Sequence, residues 1–230
     1  MDSPETANPE IASPENANPG AVHVVDDDDR FRISLTRVLN ASGVKAVGYR
    51  NAEEFLRAAA AAEPGCLLLD ISMPGPSGME LLDALASREL PPPIIFVTAC
   101  DDVPTSVHAL KAGALDFITK PVDTAALLKS IHRALQVDAE RRAAHSEKED
   151  LCRRYEELTR GERAVFAGVI RGTLNKQLAA TLYTCERTIK NHRANLMVKM
   201  GAKSIVDLVR MGRLLGLWSA ATQEIQETSL

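Results

Sequence analysis

The chain has no apolar run long enough to span a membrane; its most apolar stretches, such as Ile94–Val97, are of strand length. It does not open with a basic segment followed by an apolar one, so secretion is not expected and the chain reads as cytoplasmic, with no membrane partner. Cysteine is scarce. Cys66, Cys100, Cys152 and Cys185 lie far apart and share no metal or redox spacing, so each reads as a small apolar side chain in a reducing compartment. Between Ala134 and Glu157 there is neither glycine nor proline, and that charged stretch reads as helix.

What is present is ordinary globular material. With 230 residues, 45% hydrophobic and 25% charged, the chain can hold one large domain or two ordinary ones. Its charge is unevenly placed. Leu151–Arg213 carries thirteen basic residues against five acidic ones, a net of +8, which leaves −12 for the rest of a chain whose total is −4. Such a split suggests a polyanion-binding segment joined to an acidic one.

Residues 1–20 nearly repeat themselves at a ten-residue period: Ser3-Pro4-Glu5 and Ala7-Asn8-Pro9 correspond to Ser13-Pro14-Glu15 and Ala17-Asn18-Pro19. Two copies cannot stack, and almost nothing there is apolar, so the segment reads as a disordered tail. From Ala21, strand signals at Val22–Val25, Val44–Tyr49, Cys66–Leu69, Ile94–Thr98 and Asp116–Ile118 alternate with helical ones. The helices are expected at Phe31–Ala41, Ala52–Ala62, Gly78–Ser87, Thr105–Ala112 and Thr124–Leu135. Five strands alternating with five helices predict an α/β, doubly wound, five-stranded parallel sheet over 21–136. Strands such as Leu67-Leu68-Leu69 are apolar on both faces, as a sheet covered on both sides requires.

A helical linker is expected over 137–157 and a small all-α domain over 158–217, followed by a tail at 218–230. The helices of that domain are placed at Gly161–Ile170, Asn175–Leu182, Glu186–Met200 and Ile205–Leu215. Thr159 with Glu162 fits a capping box, and Gly172 and Gly201 stand where helices would stop.

Ligands of open α/β sheets gather at the carboxyl ends of the strands. Here the first strand runs into Asp26-Asp27-Asp28-Asp29, the third ends at Asp70, the fourth at Thr98, and the fifth is followed by Lys120-Pro121. Clustered carboxylates need a cation, and Mg²⁺ prefers such oxygen ligands. A carboxylate beside it can attack a phosphoryl donor, while a lysine and a hydroxyl hold the transferred oxygens. The four-Asp run by itself fits equally a solvated helix start. Which of its acids would bind metal stays open, the first two being preferred because they directly follow the strand. In the basic segment, Asn175–Leu182, a break at Tyr183-Thr184-Cys185 and then Glu186–Met200 have the layout of a helix-turn-helix. Its second helix carries Arg187, Lys190, Asn191, His192, Arg193 and Lys199 as donors, opposite an apolar face of Ile189, Leu196, Met197 and Met200.

On Val24-Val25-Asp26-Asp27, Leu69-Asp70-Ile71-Ser72-Met73-Pro74-Gly75, Val97-Thr98-Ala99 and Lys120-Pro121, residues 21–136 resemble the flavodoxin-like receiver domain of response regulators. The resemblance implies that Asp26 and Asp27 are the acidic metal pair, Asp70 the phosphoacceptor and Ser72 a residue offering its backbone carbonyl to Mg²⁺. It makes Thr98 and Lys120 the phosphate-contacting switch pair and Phe117 the aromatic switch, an ordinary core phenylalanine being the alternative. It also implies a cis Lys120-Pro121 bond. Leu158–Gly216 is similar to the LuxR/FixJ-type DNA-binding domain, through Leu158-Thr159-x-x-Glu162, Asn175-Lys176-Gln177-Leu178-Ala179, Thr188-Ile189-Lys190-x-His192-Arg193 and Lys199-Met200-Gly201-Ala202-Lys203-Ser204. That similarity implies a DNA-backbone contact at Lys176 and groove contacts from Lys190, Asn191 and Arg193, with Arg187 and Thr188 beside them. It implies a dimer surface on Ile205–Leu215.

The turn departs from the family pattern. It is usually Leu-Gly-Ile-Ser or similar, but here it is Leu182-Tyr183-Thr184-Cys185. Cys185 replaces a capping serine, a loss of roughly 1 kcal/mol at that helix terminus, and Thr184 stands where an apolar residue would pack.

Together the two resemblances identify a two-component response regulator of the FixJ/LuxR type. They imply a transcription factor switched by phosphate from a sensor histidine kinase, with Mg²⁺ as cofactor. It would bind double-stranded DNA at paired promoter half-sites as a homodimer formed on phosphorylation, with RNA polymerase a further candidate partner. No enzymatic activity is expected beyond the receiver's own phosphorylation and dephosphorylation. Two other classes stay open: an aspartyl phosphatase, whose haloacid-dehalogenase type would want an acid where Ser72 stands, and a receiver serving only as a docking module.

Overall fold

The structure is a computed structural model that describes residues 20–58, 63–99 and 103–217. The tail expected at 1–20 lies outside the described residues except for Gly20, and the one at 218–230 lies wholly outside them. The chain divides into two compact units after Arg142.

In the first unit β1 (Ala21–Val25), β2 (Ala46–Tyr49), β3 (Gly65–Leu69), β4 (Ile94–Thr98) and β5 (Asp116–Thr119) form one parallel sheet in the order β2-β1-β3-β4-β5. Alternation along each strand sends Val22, Val24, Cys66, Leu68, Ile95 and Val97 to one face. There they meet Leu35 and Leu39 of α1 (Asp29–Ala41) and Leu127, Ile131 and Leu135 of α5 (Thr124–Glu156). The intervening Val25, Leu67, Leu69, Ile94 and Phe96 face the other way. They pack on Phe55 of α2 (Ala52–Ala58), Leu81 and Leu85 of α3 (Gly78–Ala86) and Ala109 of α4 (Val103–Lys111). Both sheet faces are therefore dry, which is why the strands read as unbroken apolar runs. The strand order reverses between β1 and β3, the place where such sheets open a crevice at their carboxyl ends.

Most element bounds lie within two residues of expectation; two need separate comment. The described part of α2 ends at Ala58, and residues 59–62 lie outside the described residues. The last helix expected at Thr124–Leu135 and the linker helix are one unbroken helix of 33 residues, α5, because nothing between Ala134 and Glu157 interrupts its hydrogen bonding.

In the second unit α6 (Arg160–Ile170), α7 (Asn175–Thr181), α8 (Glu186–Met200) and α9 (Ile205–Leu214) bury Val165, Phe166, Leu178, Ile189, Leu196, Met200 and Leu208 together with Leu151 of α5. The capping box forms: the Thr159 N–H donates to Glu162 Oε2 at 2.8 Å, and the Glu162 N–H donates to Thr159 Oγ1 at 3.3 Å. Gly201 ends α8 at φ +67°, a left-handed conformation that favours glycine.

Glu162 does more than cap. Its side chain is buried and also accepts from Lys199 Nζ at 2.7 Å, which ties the start of α6 to the last turn of α8. That hydrogen bond, reinforced by those from Thr159, holds the Glu162 carboxyl below the usual glutamate range against the opposing effect of burial. A depressed pKa means the charged form favours the fold. Its contribution is full above about pH 4.5 and disappears as pH falls through the depressed value. Glu162→Gln is therefore expected to melt a few degrees below wild type at pH 7 and level with it in strong acid. Melting curves of both proteins from pH 3 to 7 check this; a gap that widens in acid would be the wrong sign.

Candidate functional site

The register of the sheet builds the first cluster. Val25 pairs with Leu69, so the residues that follow, Asp26 and Asp70, leave the sheet side by side, and the Asp70 N–H donates to the Val25 carbonyl at 3.0 Å. One carboxylate oxygen from each of Asp26, Asp27 and Asp70 falls within a group whose members all lie within 4.8 Å of one another. Asp26 and Asp70 are buried and Asp27 is exposed. Lys120, just after β5, reaches across: its Nζ lies 2.7 Å from Asp26 Oδ2 and 2.7 Å from Asp70 Oδ2. The remaining carboxylate oxygens accept backbone N–H groups, Asp28 N to Asp26 Oδ1 at 2.9 Å and Ser72 N to Asp70 Oδ1 at 3.0 Å.

The four-Asp run sorts itself by partner. Asp28 caps α1, accepting from the N–H groups of Arg30 and Phe31, and Asp29 pairs with Arg32. Only Asp26 and Asp27 of the run join Asp70. Thr98 is fully buried at the end of β4, and its carbonyl accepts the Lys120 N–H at 2.8 Å. Phe117 is partly buried against the α2–α4 face of the sheet. The Lys120-Pro121 bond is cis.

Three residues of this pocket are not singled out by the sequence reading. Phe31 places its ring under the Lys120 ammonium, 4.1 Å from centroid to Nζ, a cation–π contact between residues far apart in the chain. Arg32 is buried, and its Nη1 donates to the Asp26 carbonyl at 2.6 Å. Gly78 opens α3 so close to the end of β3 that a Cβ there would sit 2.3 Å from the Asp70 carbonyl oxygen. Only Gly78 leaves a sequence trace, as a glycine at a helix start where a backbone must come close.

Burial raises the Asp26 pKa above its ordinary value, and the hydrogen bond and charge of Lys120 only partly offset it. For Lys120 burial works in the opposite sense, but the hydrogen bonds and charges of Asp26 and Asp70 together outweigh it and hold the ammonium above the usual lysine value. Three carboxylates around one ammonium leave the cluster short of positive charge. This donor set of hard oxygens fits a divalent cation of the Mg²⁺ kind.

A raised acid pKa means that ionised Asp26 costs stability. Its contribution to the fold is most favourable below about pH 3.8 and is lost as pH rises through the raised value. Asp26→Asn is therefore expected to melt above wild type at pH 7 without added metal, with the gap closing toward pH 4. Melting temperatures across that range test it, and a less stable Asp26→Asn at pH 7 would refute it.

The second cluster lies on α7 and α8. Ile189, Leu196 and Met200 turn α8 into the helical core, leaving Arg187, Lys190 and Asn191 exposed on its outer face, with Lys176 exposed on α7. The other donors expected on α8 are engaged within the unit. Arg193 Nη1 donates to Asn175 Oδ1 at 2.9 Å, Lys199 is held by Glu162 and the Glu157 carbonyl, and the His192 ring packs against Gly161. Thr188 is half-buried, its hydroxyl 3.3 Å from Cys185 Sγ. As its residue type predicts, Cys185 makes no side-chain capping bond. The hydrogen bond with the Thr188 hydroxyl is the largest cause that lowers the Cys185 thiol pKa. Thr184 is exposed, and Tyr183 sits at φ +50° with 98% of its surface exposed.

Two family models match this chain: the response regulator receiver domain over residues 22–132, and the bacterial regulatory proteins of the luxR family over 156–212. Among curated relatives, nodulation protein W of Bradyrhizobium diazoefficiens is 38% identical, the match covering 89% of this chain and 90% of that one. Transcriptional regulatory protein FixJ of Azorhizobium caulinodans is 39% identical over 85% of this chain and 93% of its own length. Among solved structures, the response regulator StyR is similar at 40% identity and a TM-score of 0.76, covering 84% of this chain and 98% of that one. Full-length FixJ from B. japonicum follows at 35% identity and a TM-score of 0.52, covering 86% and 98%.

Proposed function

Because this chain belongs to the two-component response regulators that join a receiver to a LuxR-type DNA-binding domain, a family of phosphorylation-dependent transcription regulators, we propose that Asp70 is its phosphoacceptor and α8 its recognition helix. The observation that carries the reading is the Lys120 ammonium shared between Asp26 and Asp70 at 2.7 Å each, a charge already aimed at the oxygen that would be phosphorylated.

A histidine kinase is the partner a receiver implies. The Asp70 carboxylate attacks the phosphorus of the kinase's phosphohistidine; the P–N bond breaks as the acyl phosphate forms, and the imidazole leaves with the electron pair. Receivers generally bind Mg²⁺ at their acidic pocket; here Asp26, Asp27, Asp70 and the Ser72 carbonyl would hold it, and it would neutralise the incoming phosphoryl oxygens. Lys120 exchanges a carboxylate for a phosphoryl oxygen, and the Thr98 hydroxyl takes another. Phe117, half-buried behind them, follows Thr98 inward and alters the outer surface near β5. The same pocket catalyses the later hydrolysis of the acyl phosphate, and no reaction on a separate substrate belongs to the reading.

The domains are read as a receiver over 21–136, a helical linker over 137–157 and a DNA-binding domain over 158–217. On DNA, Lys176 contacts the phosphate backbone, while Arg187, Lys190 and Asn191 approach the major groove. Thr188 shapes the start of the helix, and Arg193 reaches DNA only by leaving Asn175. Phosphorylation favours a homodimer on paired half-sites, from which RNA polymerase would be engaged. A DNA-binding regulator of this kind works beside its DNA in the cytoplasm; separately, no helix among the described residues is long and apolar enough to cross a membrane.

Footprinting on genomic fragments, with wild type and Asp70→Ala and with or without acetyl phosphate, tests the switch. Wild type should gain affinity on treatment and Asp70→Ala should not; equal binding by both proteins in every condition would end the proposal. Among the DNA contacts, Lys190→Ala is expected to weaken binding and to lower the slope of log affinity against log salt by about 1 if it pairs with a phosphate. Asn191→Ala should leave that slope alone and relax preference at one base pair, a loss of about 1–3 kcal/mol. An unchanged footprint and slope for both variants would place the recognition surface elsewhere.

A further inference from the structure

We propose that Tyr183 is a DNA-contacting residue, its phenol donating to a backbone phosphate at the lip of the groove that α8 enters. The inference rests on the reading of α8 as recognition helix and adds to it a contact from the turn.

Three observations converge on this residue. Tyr183 is the one non-glycine residue with positive φ among the described residues, at φ +50°, in a turn where glycine would take the same conformation without strain. Its main chain is held there: the Tyr183 N–H donates to the Ala180 carbonyl at 3.3 Å, and the next N–H, of Thr184, donates to the Ala179 carbonyl at 3.0 Å. Yet the residue is 98% exposed, the most exposed large hydrophobic side chain among the described residues. The domain therefore bears the strain of a side chain that contributes almost nothing to its packing. Residues held in sparsely populated backbone regions cluster at binding and switch sites, and an exposed tyrosine kept there is placed to meet a partner.

Position names the partner. Tyr183 stands two residues before Cys185, which begins α8, and so lies at the end of the helix whose first turns reach base edges in this architecture. Arg187, Lys190 and Asn191 leave that end exposed and basic, and the strands of a duplex rise on either side of the groove it would fill. A tyrosine hydroxyl is a regular phosphate donor, and the length of the ring carries it outward from the turn.

The test uses the full-length chain treated with acetyl phosphate and a fluorescent random-sequence duplex of about 30 base pairs, enough for two half-sites a helical turn apart. Binding is measured at low salt, where a phosphate contact counts whatever the sequence. Tyr183→Gly is expected to bind about three- to tenfold more weakly, the worth of one hydrogen bond, while melting about 2–4 °C higher because glycine relieves the turn. Opposite signs in the two measurements separate a DNA contact from a structural role, which would lower both. Tyr183→Phe should share most of the affinity loss; full affinity in that variant overturns the phosphate contact. Unchanged affinity in Tyr183→Gly overturns the proposal outright, including the case where in vitro transcription falls, which would instead mark a protein partner. Failure of wild type itself to bind any duplex would overturn the reading of α8 as recognition helix, and the proposal with it.

Discussion

Two buried carboxylates stand side by side at one sheet edge, where burial opposes the ionisation of Asp26, and the first unit is arranged around the Lys120 ammonium that meets them both. Asp26 and Asp70 are neighbours because β1 and β3 pair in a register that leaves no choice once Val25 meets Leu69. Lys120 reaches both only because β5 lies beside β4, where the Thr98 carbonyl accepts its N–H. Phe31 holds the ammonium from below and Arg32 fixes the Asp26 main chain, so α1 serves the pocket as well as the core. The absence of a side chain at Gly78 then lets α3 close against Asp70.

The chain uses paired carboxylates in two opposite ways. Glu162 is ionised at a profit to the fold, because Lys199 and the Thr159 cap meet its charge in a structural tie between α6 and α8. Asp26 is ionised at a cost, because burial outweighs what Lys120 returns. A divalent cation beside a carboxylate whose ionisation burial opposes would relieve that cost, and carboxylates shifted in this way cluster at functional sites. The phosphatase alternative has less to stand on, because Ser72 occupies the place where such an enzyme would carry an acid.

On the helical unit the same distinction sorts the basic residues. Thirteen of them over Leu151–Arg213 suggest a polyanion partner, but they do not all face it. Lys199 and Arg193 hold helices together, whereas Arg187, Lys190 and Asn191 remain on the outer face of α8 and Lys176 on α7. The unusual turn does not disturb this arrangement. Cys185 begins α8 without a side-chain cap, and the helix still runs its full predicted length to Met200, since Ile189, Leu196 and Met200 anchor it in the core.

Residue pattern alone determined the architecture and most of the pocket. Strand-length apolar runs, helix-period stripes and acids at strand ends are local signals; β4 and α8 fall on their expected residues, and the other strands differ by two residues at most. The family motifs named Asp26, Asp70 and Lys120, which the structure brings together because parallel topology collects strand ends on one edge, and Thr98, whose carbonyl accepts the Lys120 N–H. What lay beyond reach was whatever depends on a partner distant in sequence. Nothing near Phe31 announces Lys120, nothing near Arg193 announces Asn175, and the choice among four consecutive aspartates required knowing that Asp28 turns back to cap α1 while Asp29 meets Arg32. The sequence thus determined which chemical groups the protein possesses and on which elements they ride. Only the tertiary structure decided which of those groups are already paired, because pairing is a matter of distances between elements, and a distance across the fold has no counterpart in local spacing.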